Sequence, residues 1–332
     1  MVNVTCLLLI INKQFKGVIN MNNFKKVGLT ALAGSLLATS AYAGAMSVAG
    51  SASIGVKNNS GNSTGKSWTM GNQLTFSGSG ETDGGINVAL SFVIDQGDDT
   101  AIGSGPFDSH SLTLSNDSMG TLVFSGEGGS SAASALDGTA AGDIWDNGFG
   151  ISSPSASEAG NNSMLYTLPS LMDGLSVSLS YSPGSAGGPS ATAWGTTYTG
   201  VEGLSVSYGQ GQTETVGSEA TQTTYKASYA MGSFTVAASN NEYDLDAGSN
   251  DEETSSWKVS YTVTEDLSVS YGSETLETEG STTDEEVEAL TVSYTTGGMT
   301  VSAASVEASG VDHTAGVAGD KERWKLSATF AF

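Results

Sequence analysis

Short segments in which apolar and polar residues alternate recur along most of this chain, and they constrain its fold more than any other feature. In "GLSVSLSY" one face carries the apolar residues from Leu175 to Tyr181, while the serines occupy the other face. The runs "GLSVSYG", "DLSVSYG" and "ALTVSYT" follow the same pattern. Successive side chains of a β-strand point to opposite faces. The alternation therefore predicts many strands, each with one apolar and one polar face.

Sixteen such strands are predicted between residue 44 and the C-terminus. Their ranges are 44–57, 67–80, 86–95, 109–115, 120–127, 162–168, 175–182, 192–199, 204–211, 221–230, 233–243, 255–263, 267–275, 286–295, 299–308 and 321–332. The connections between them alternate in length. The short ones resemble turns and lie at 82–85, 116–120, 170–174, 200–203, 231–233, 264–266 and 295–298. Membrane barrels combine an even strand number with short turns at one end and long loops at the other.

The aromatic residues test this interpretation independently. Four tryptophans lie near the start of strands that follow a long connection: Trp68, Trp194, Trp257 and Trp324. Tyr198, Tyr261 and Phe332 end three of these strands and have the same parity as the tryptophan before them. One row of outward rings at each rim is the aromatic girdle of membrane barrels. The sequence therefore predicts an all-β fold, a 16-stranded antiparallel transmembrane β-barrel with short periplasmic turns and long outer loops.

An export signal is predicted before the barrel. From Met21 the chain has a basic start, an apolar stretch from Val27 to Leu37 and small residues up to Ala43, which is the pattern of a cleaved signal peptide. The apolar stretch is shorter than the roughly 20 residues that a membrane-spanning helix needs. We assign 21–43 to the signal, 44–332 to the barrel, and 1–20 to an extension produced by a start codon assigned too early.

The charge of the chain excludes one class of partner. The sequence has 11 basic and 35 acidic residues; four basic residues and no acidic ones precede Gly44, so the charge of 44–332 is −28. Such a chain cannot neutralise a row of phosphates, which argues against nucleic-acid binding. Cys6 is the single cysteine and precedes the predicted mature chain. We expect no disulfide framework there and no cofactor.

The last segment, "ERWKLSATFAF", alternates up to the terminal ring of Phe332 and is predicted to close the barrel against the first strand. Together with "KKVGLTALAGSLLATSAYAG" near the start and the sixteen predicted strands, it resembles the trimeric general porins of Gram-negative outer membranes, and most closely those of alphaproteobacteria. This resemblance implies an outer-membrane homotrimer surrounded by lipid, a terminal strand recognised by the barrel assembly machinery, and passive diffusion of small hydrophilic solutes.

The longest connection, loop 128–161, is the third long one. In porins the third outer loop folds into the barrel and narrows it, and loops of this length without secondary structure usually have a function. We expect Ile144, Trp145 and Phe149 to hold the loop on the inner wall. The candidates that face the constriction are Asp137, Asp143 and Asp146. A solvated outer loop remains the alternative.

The resemblance also implies a basic wall facing that loop, but only seven basic residues follow Gly44. Strand parity predicts that four of them point into the lumen: Lys226, Lys258, Arg323 and Lys325. A lysine or arginine facing lipid at mid-membrane costs about 2–4 kcal/mol, so a position in the lumen is expected in any case. Because acidic residues dominate, we predict a preference for cations.

Other function classes have weaker support. The acidic segments 244–253 and 276–288 lack the spacing of a calcium loop, so we assign no metal site. His110 and His313 are the only histidines, and the chain lacks a GxSxG nucleophile motif, so we expect no enzyme. A solute-specific channel would need aromatic rings along the lumen. A surface adhesin would not require rings at both rims.

Overall fold

A computed structural model describes residues 46–59, 65–95, 108–133, 136, 138–142, 144, 149, 151, 161–184, 190–215, 218–246, 248 and 251–332. Within these residues sixteen antiparallel strands form one closed barrel in which each strand pairs with its sequence neighbours. They are β1 (Met46–Asn59), β2 (Gly65–Glu81), β3 (Asn87–Asp95), β4 (Ser109–Asn116), β5 (Gly120–Glu127), β6 (Ser163–Thr167), β7 (Leu175–Ser182), β8 (Ser190–Val201), β9 (Leu204–Thr215), β10 (Ser218–Met231), β11 (Phe234–Leu245), β12 (Glu252–Thr262), β13 (Leu267–Thr278), β14 (Glu285–Thr296), β15 (Met299–Ser309) and β16 (Lys321–Ala331). The predicted fold class is confirmed. Residues 1–45, including the predicted extension and signal, lie outside the described residues.

The barrel closes where the terminal segment was predicted to pair. β16 runs antiparallel to β1, with Ser51 opposite Ala331 and Asn59 opposite Arg323. At the very end, the Gly50 amide donates to the Phe332 carbonyl at 2.8 Å and the Phe332 amide donates to the Gly50 carbonyl at 3.0 Å. The final residue of the chain is therefore hydrogen-bonded in the ladder, which leaves no free edge along this pair of strands.

The two faces of the wall have the composition that the alternation predicts. On β14, Leu290, Val292 and Tyr294 are exposed on the outer face. The inner face pairs hydroxyl groups across neighbouring strands, as in Ser293 Oγ and Ser302 Oγ, which lie 3.2 Å apart. An apolar exterior and a polar interior are what a strand between lipid and water requires.

The connections at one end of the barrel are short turns, and all seven lie where the sequence predicted them. We call this the short-turn end and the opposite end the long-loop end. Some of these turns depend on glycine. Gly203 has φ 76°, and a Cβ there would lie 2.5 Å from the Ala230 carbonyl oxygen of the adjacent hairpin. A residue with a side chain would be strained at this position.

The wall differs in height around the barrel. β3 to β7 have 9, 8, 8, 5 and 8 residues, whereas β1 and β2 have 14 and 17. We call β3–β7 the short wall. Among the described residues, no helix is long and apolar enough to cross a membrane.

Candidate functional site

Loop 128–161 lies inside the barrel over its described residues. The Ala132 amide donates to Ser180 Oγ on β7 at 2.8 Å. The Ala140 amide donates to Ser239 Oγ on β11 at 2.8 Å, and the Ala141 amide donates to Ser256 Oγ on β12 at 2.9 Å. A loop that leaves β5 reaches the inner faces of strands this far around the wall only by running through the lumen.

Glycines in the wall make room for the loop. A Cβ at Gly195 on β8 would lie 2.5 Å from Leu136 Cδ1, and one at Gly209 on β9 would lie 2.9 Å from the same atom. At Gly272 on β13 a Cβ would lie 3.0 Å from Ala141 Cβ. Real Cβ atoms do not approach other atoms this closely, so the loop packs directly on the backbone of the wall.

Two of the predicted lumen lysines bind this loop. Lys226 Nζ on β10 donates to the Gly138 carbonyl oxygen. Lys258 Nζ on β12 donates to the Ala141 carbonyl oxygen at 3.3 Å. Both lysines therefore belong to the wall that carries the loop and do not face it across the opening.

The loop also binds a buried carboxylate that was not among the predicted site residues. Glu274 on β13 is 0% exposed and accepts a hydrogen bond from Thr139 Oγ1 of the loop. The Thr139 hydroxyl oxygen in turn accepts from the Gly142 amide at 3.1 Å. Glu274 has the opposite parity to Tyr271, which is exposed on the outer face. That parity was the available signal that its carboxylate points into the lumen.

Further along, loop 128–161 is held by apolar contacts. Ile151 is buried in a cluster with residues of β13, β14 and β15, and Ile144 and Phe149 pack against it. The wall residues of the cluster are Leu276, Val287, Ala289, Val306 and Ala308, together with Val311 from the last loop. The contact expected of Ile144 and Phe149 with the inner wall is therefore present. Trp145 lies outside the described residues.

The three aspartates proposed for the constriction, Asp137, Asp143 and Asp146, also lie outside the described residues. Their orientation stays a prediction. The described residues on either side of Asp137 contact the wall, since Leu136 lies against Gly195 and the Gly138 carbonyl accepts from Lys226.

The remaining lumen cations lie on β1 and β16, the two strands where the barrel closes. Lys325 on β16 is directly paired with Lys57 on β1, and Arg323 lies two residues before Lys325 on the same face. We call these three residues the basic stripe. In the strand order, β1 and β16 are half a turn of the barrel from β8 and β9, where Leu136 packs. The sequence analysis assigned Arg323 and Lys325 to the lumen but left Lys57 out of the set.

The predicted girdle residues lie on the outer face. Exposed rings include Trp68 at 78% and Phe332 at 74%, together with Trp194, Trp257, Trp324 and Tyr261, whereas Tyr198 is half-buried. Towards the long-loop end Trp194 packs on Tyr208 with ring centroids 5.1 Å apart. Towards the short-turn end Tyr261 packs on Phe234 at 4.6 Å. The role of these rings at a lipid interface stays a prediction.

Neither histidine joins a group with the residues of a catalytic or metal site. His110 lies on the outer face, where its ring covers Gly126. His313 Nδ1 lies 3.0 Å from the Thr283 carbonyl oxygen in the outer loops. In the part of the chain that the structure describes, no group of three or more His, Cys, Asp or Glu side chains could hold a metal ion.

A family model described as Gram-negative porin matches residues 28–332 of the chain. The comparison with curated proteins finds no significant match.

Solved structures share the architecture. A loop L8 deletion mutant of OmpT, an outer membrane protein of Vibrio cholerae, has a TM-score of 0.70 and 16% identity, covering 87% of this chain and 100% of that one. A porin refined at 1.8 Å has a TM-score of 0.66 and 18% identity, with the same coverage. A mutant of the Rh. blastica porin has a TM-score of 0.63 and 15% identity, again with this coverage. At these identities the likeness concerns the fold alone.

Proposed function

The chain belongs to the Gram-negative porin family, and we propose that it forms a passive, water-filled channel for small hydrophilic solutes and ions. The family confirms the resemblance drawn from the sequence, while the narrower resemblance to alphaproteobacterial porins stays a prediction. Family and fold together indicate an outer-membrane channel rather than an enzyme. The observation that carries the proposal is loop 128–161, whose amides donate to lumen-facing serines of β7, β11 and β12.

A loop held in the lumen narrows the channel. This favours a limit on the size of the solute over a specific binding site. The inner wall offers hydroxyl groups that bond to one another, such as Thr197 Oγ1 and Ser207 Oγ at 2.9 Å. Hydroxyl groups paired in this way hydrogen-bond with water and polar solutes without strong preference. We therefore expect solutes to be sorted by size and charge.

Liposome swelling tests this proposal. Residues 44–332 are refolded into liposomes, and the swelling rate is measured in isotonic solutions of neutral sugars of increasing size. We expect the rate to fall smoothly with sugar size and to be equal for isomeric sugars. Two sugars of equal size that enter at clearly different rates would contradict passive diffusion and favour a solute-specific channel. Empty liposomes are the control.

Cation selectivity follows from the balance of charge. Residues 44–332 carry 35 acidic and seven basic residues, and two of the lumen lysines already bind loop carbonyls. The positive charge of the basic stripe is therefore outweighed by a large excess of negative charge. The summed field of such a surface concentrates cations at the mouth, and added salt screens it.

We further propose that the short wall lies at the centre of a homotrimer. A tilted membrane strand needs about 9–11 residues to cross the hydrocarbon layer, whereas β4–β7 have 8, 8, 5 and 8. Yet the outer face of this wall is apolar, with Leu90, Leu112 and Phe124 exposed in the single chain. A second copy would cover this surface without requiring it to span lipid.

The proposed route to the membrane uses both ends of the chain. The signal at 21–43 would direct export and be removed after Ala43. The terminal strand, with the ring of Phe332 on the outer face, would be recognised by the barrel assembly machinery before it pairs with β1. The remaining outer surface would contact outer-membrane lipid.

A further inference from the structure

The latch is our name for three side chains of the inner wall that bind loop 128–161: Lys226, Lys258 and Glu274. We propose that the latch fixes how far the loop extends into the lumen, and so sets the size limit of the channel without contacting the solute. This inference rests on the proposed channel function. It assigns the two lysines a positioning role in addition to the field that their charge contributes to the lumen.

The latch and two neighbouring serines of the wall bind four consecutive loop residues, 138–141. The Gly138 carbonyl accepts from Lys226 on β10, and the Thr139 hydroxyl donates to Glu274 on β13. The Ala140 amide donates to Ser239 on β11, and the Ala141 amide donates to Ser256 on β12. Four neighbouring strands thus hold four consecutive residues.

Burial explains why these contacts hold the loop in place. Thr139, Ala140 and Ala141 are buried, so their polar backbone groups are costly to leave without partners. The wall supplies these partners from side chains, without a strand ladder to the described residues of the loop. Hydrogen bonds from an ammonium group or to a carboxylate are stronger than neutral ones. The latch therefore adds charged partners to the neutral bonds from Ser239 and Ser256 at the point where the loop touches the wall.

The charges of the lumen fall into two groups with different tasks. Lys226 and Lys258 donate to backbone carbonyls of the loop, whereas Lys57 and Lys325 of the basic stripe lie side by side on β1 and β16. The stripe acts on the charge of a passing ion. The latch acts on the position of the loop and hence on all solutes, including neutral ones.

A pair of double variants with equal loss of charge tests the latch. Lys226→Met with Lys258→Met removes both ammonium donors and keeps side chains of similar length. Lys66→Met with Lys321→Met removes the same charge at positions outside the latch, since Lys66 packs over the Trp324 ring and Lys321 bonds to Ala318. Both proteins are checked for barrel formation by circular dichroism and by heat-modifiable gel mobility.

Permeation of neutral sugars is the first measurement. We expect the latch variant to admit sugars that the wild type excludes, because losing two hydrogen bonds from charged groups should raise the population of undocked loops by roughly 100-fold. The control variant should keep the wild-type size limit. An equal rise of the size limit in both variants, or an unchanged size limit in both, would overturn the proposal.

A reversible tether gives a second measurement that does not depend on conduction. Ser239 Oγ reaches the backbone nitrogen of residue 140 at 2.8 Å, so Ala140→Cys with Ser239→Cys brings two thiols together in a mature chain without other cysteines. We expect mild oxidation to link them rapidly in the wild-type background and more slowly in the latch variant. Once formed, the disulfide should restore the size limit until a reductant is added.

The two proposals fail in different ways. A refolded wild-type barrel that admits no solute would contradict the channel function. The latch could still be tested in that case by comparing the rate of disulfide formation with and without the two lysines. A conducting wild type whose latch variant forms the disulfide at an unchanged rate would contradict the latch alone.

Discussion

At Gly50 the absence of a side chain leaves room for the last ring of the chain. A Cβ there would lie 2.5 Å from Phe332 Cε2 and 2.9 Å from Leu74 Cδ2. The two backbone hydrogen bonds between Gly50 and Phe332 lie beneath the ring. The fit of one ring over one glycine therefore secures the end of the closing ladder.

Substituting this glycine tests the role of the close contact in closure. We expect Gly50→Ala to lower the free energy of unfolding by about 1 kcal/mol relative to the control variant, the low end of the cost of overpacking, because the added methyl displaces the exposed end of a terminal side chain. Gly78→Ala on β2 is the matched control, since its Cβ would meet only Met46 Cγ at 4.0 Å. Urea unfolding in detergent or lipid measures both variants. Equal stability of the two would contradict this account of closure.

The sequence predicted the positions of side chains where alternation determines them. It did not predict the hydrogen bonds that these side chains form. Parity predicts that Lys226 and Lys258 point into the lumen, and in the structure both donate to loop 128–161. Their acceptors are the carbonyls of Gly138 and Ala141, and backbone carbonyls leave no pattern in a sequence. Glu274 was not predicted either, because its partner is a threonine hydroxyl on a loop that is distant in the sequence.

At the scale of the strand, the sequence predicted number and order well but underestimated length. The predicted strands 204–211 and 221–230 extend to Thr215 and begin at Ser218. Their ladder continues with Glu214 opposite Glu219. Both faces are polar in this segment, so the alternation disappears although the backbone pairing persists. Hydropathy thus reports the apolar band of a strand and not its full extent.

The two sides of the barrel should respond differently to a charge on the outer face. Leu90 on β3 and Leu290 on β14 are exposed to a similar extent, 50% and 47%. If the short wall is the subunit contact, Leu90→Arg should yield folded monomers in place of trimers. Leu290→Arg should instead weaken folding in lipid by about 2–4 kcal/mol while the barrels that fold still form trimers.

Native gel electrophoresis and analytical ultracentrifugation in detergent separate these outcomes. If trimers persist in the Leu90→Arg protein, the short wall is not the subunit contact. Loss of trimers in the Leu290→Arg protein alone would move the contact to the opposite side of the barrel.

At the scale of the whole molecule, the proposed channel relies on two devices that control passage. The position of loop 128–161 limits size, and the excess of acidic residues acts on charge. Two of the seven basic residues of the segment 44–332 belong to the latch and bind the loop. The basic stripe is then the main cationic surface opposite the start of the loop, within the lumen that the structure describes.

We propose that this barrel is an open, cation-selective channel, and recordings from single channels in a planar bilayer under a salt gradient distinguish it from a closed barrel and from an anion channel. Residues 44–332 should give ohmic conductance steps in groups of three, with a reversal potential of the sign that favours cations and a preference that weakens as salt is raised. A folded barrel without conductance, or a reversal potential that favours anions, would contradict the account.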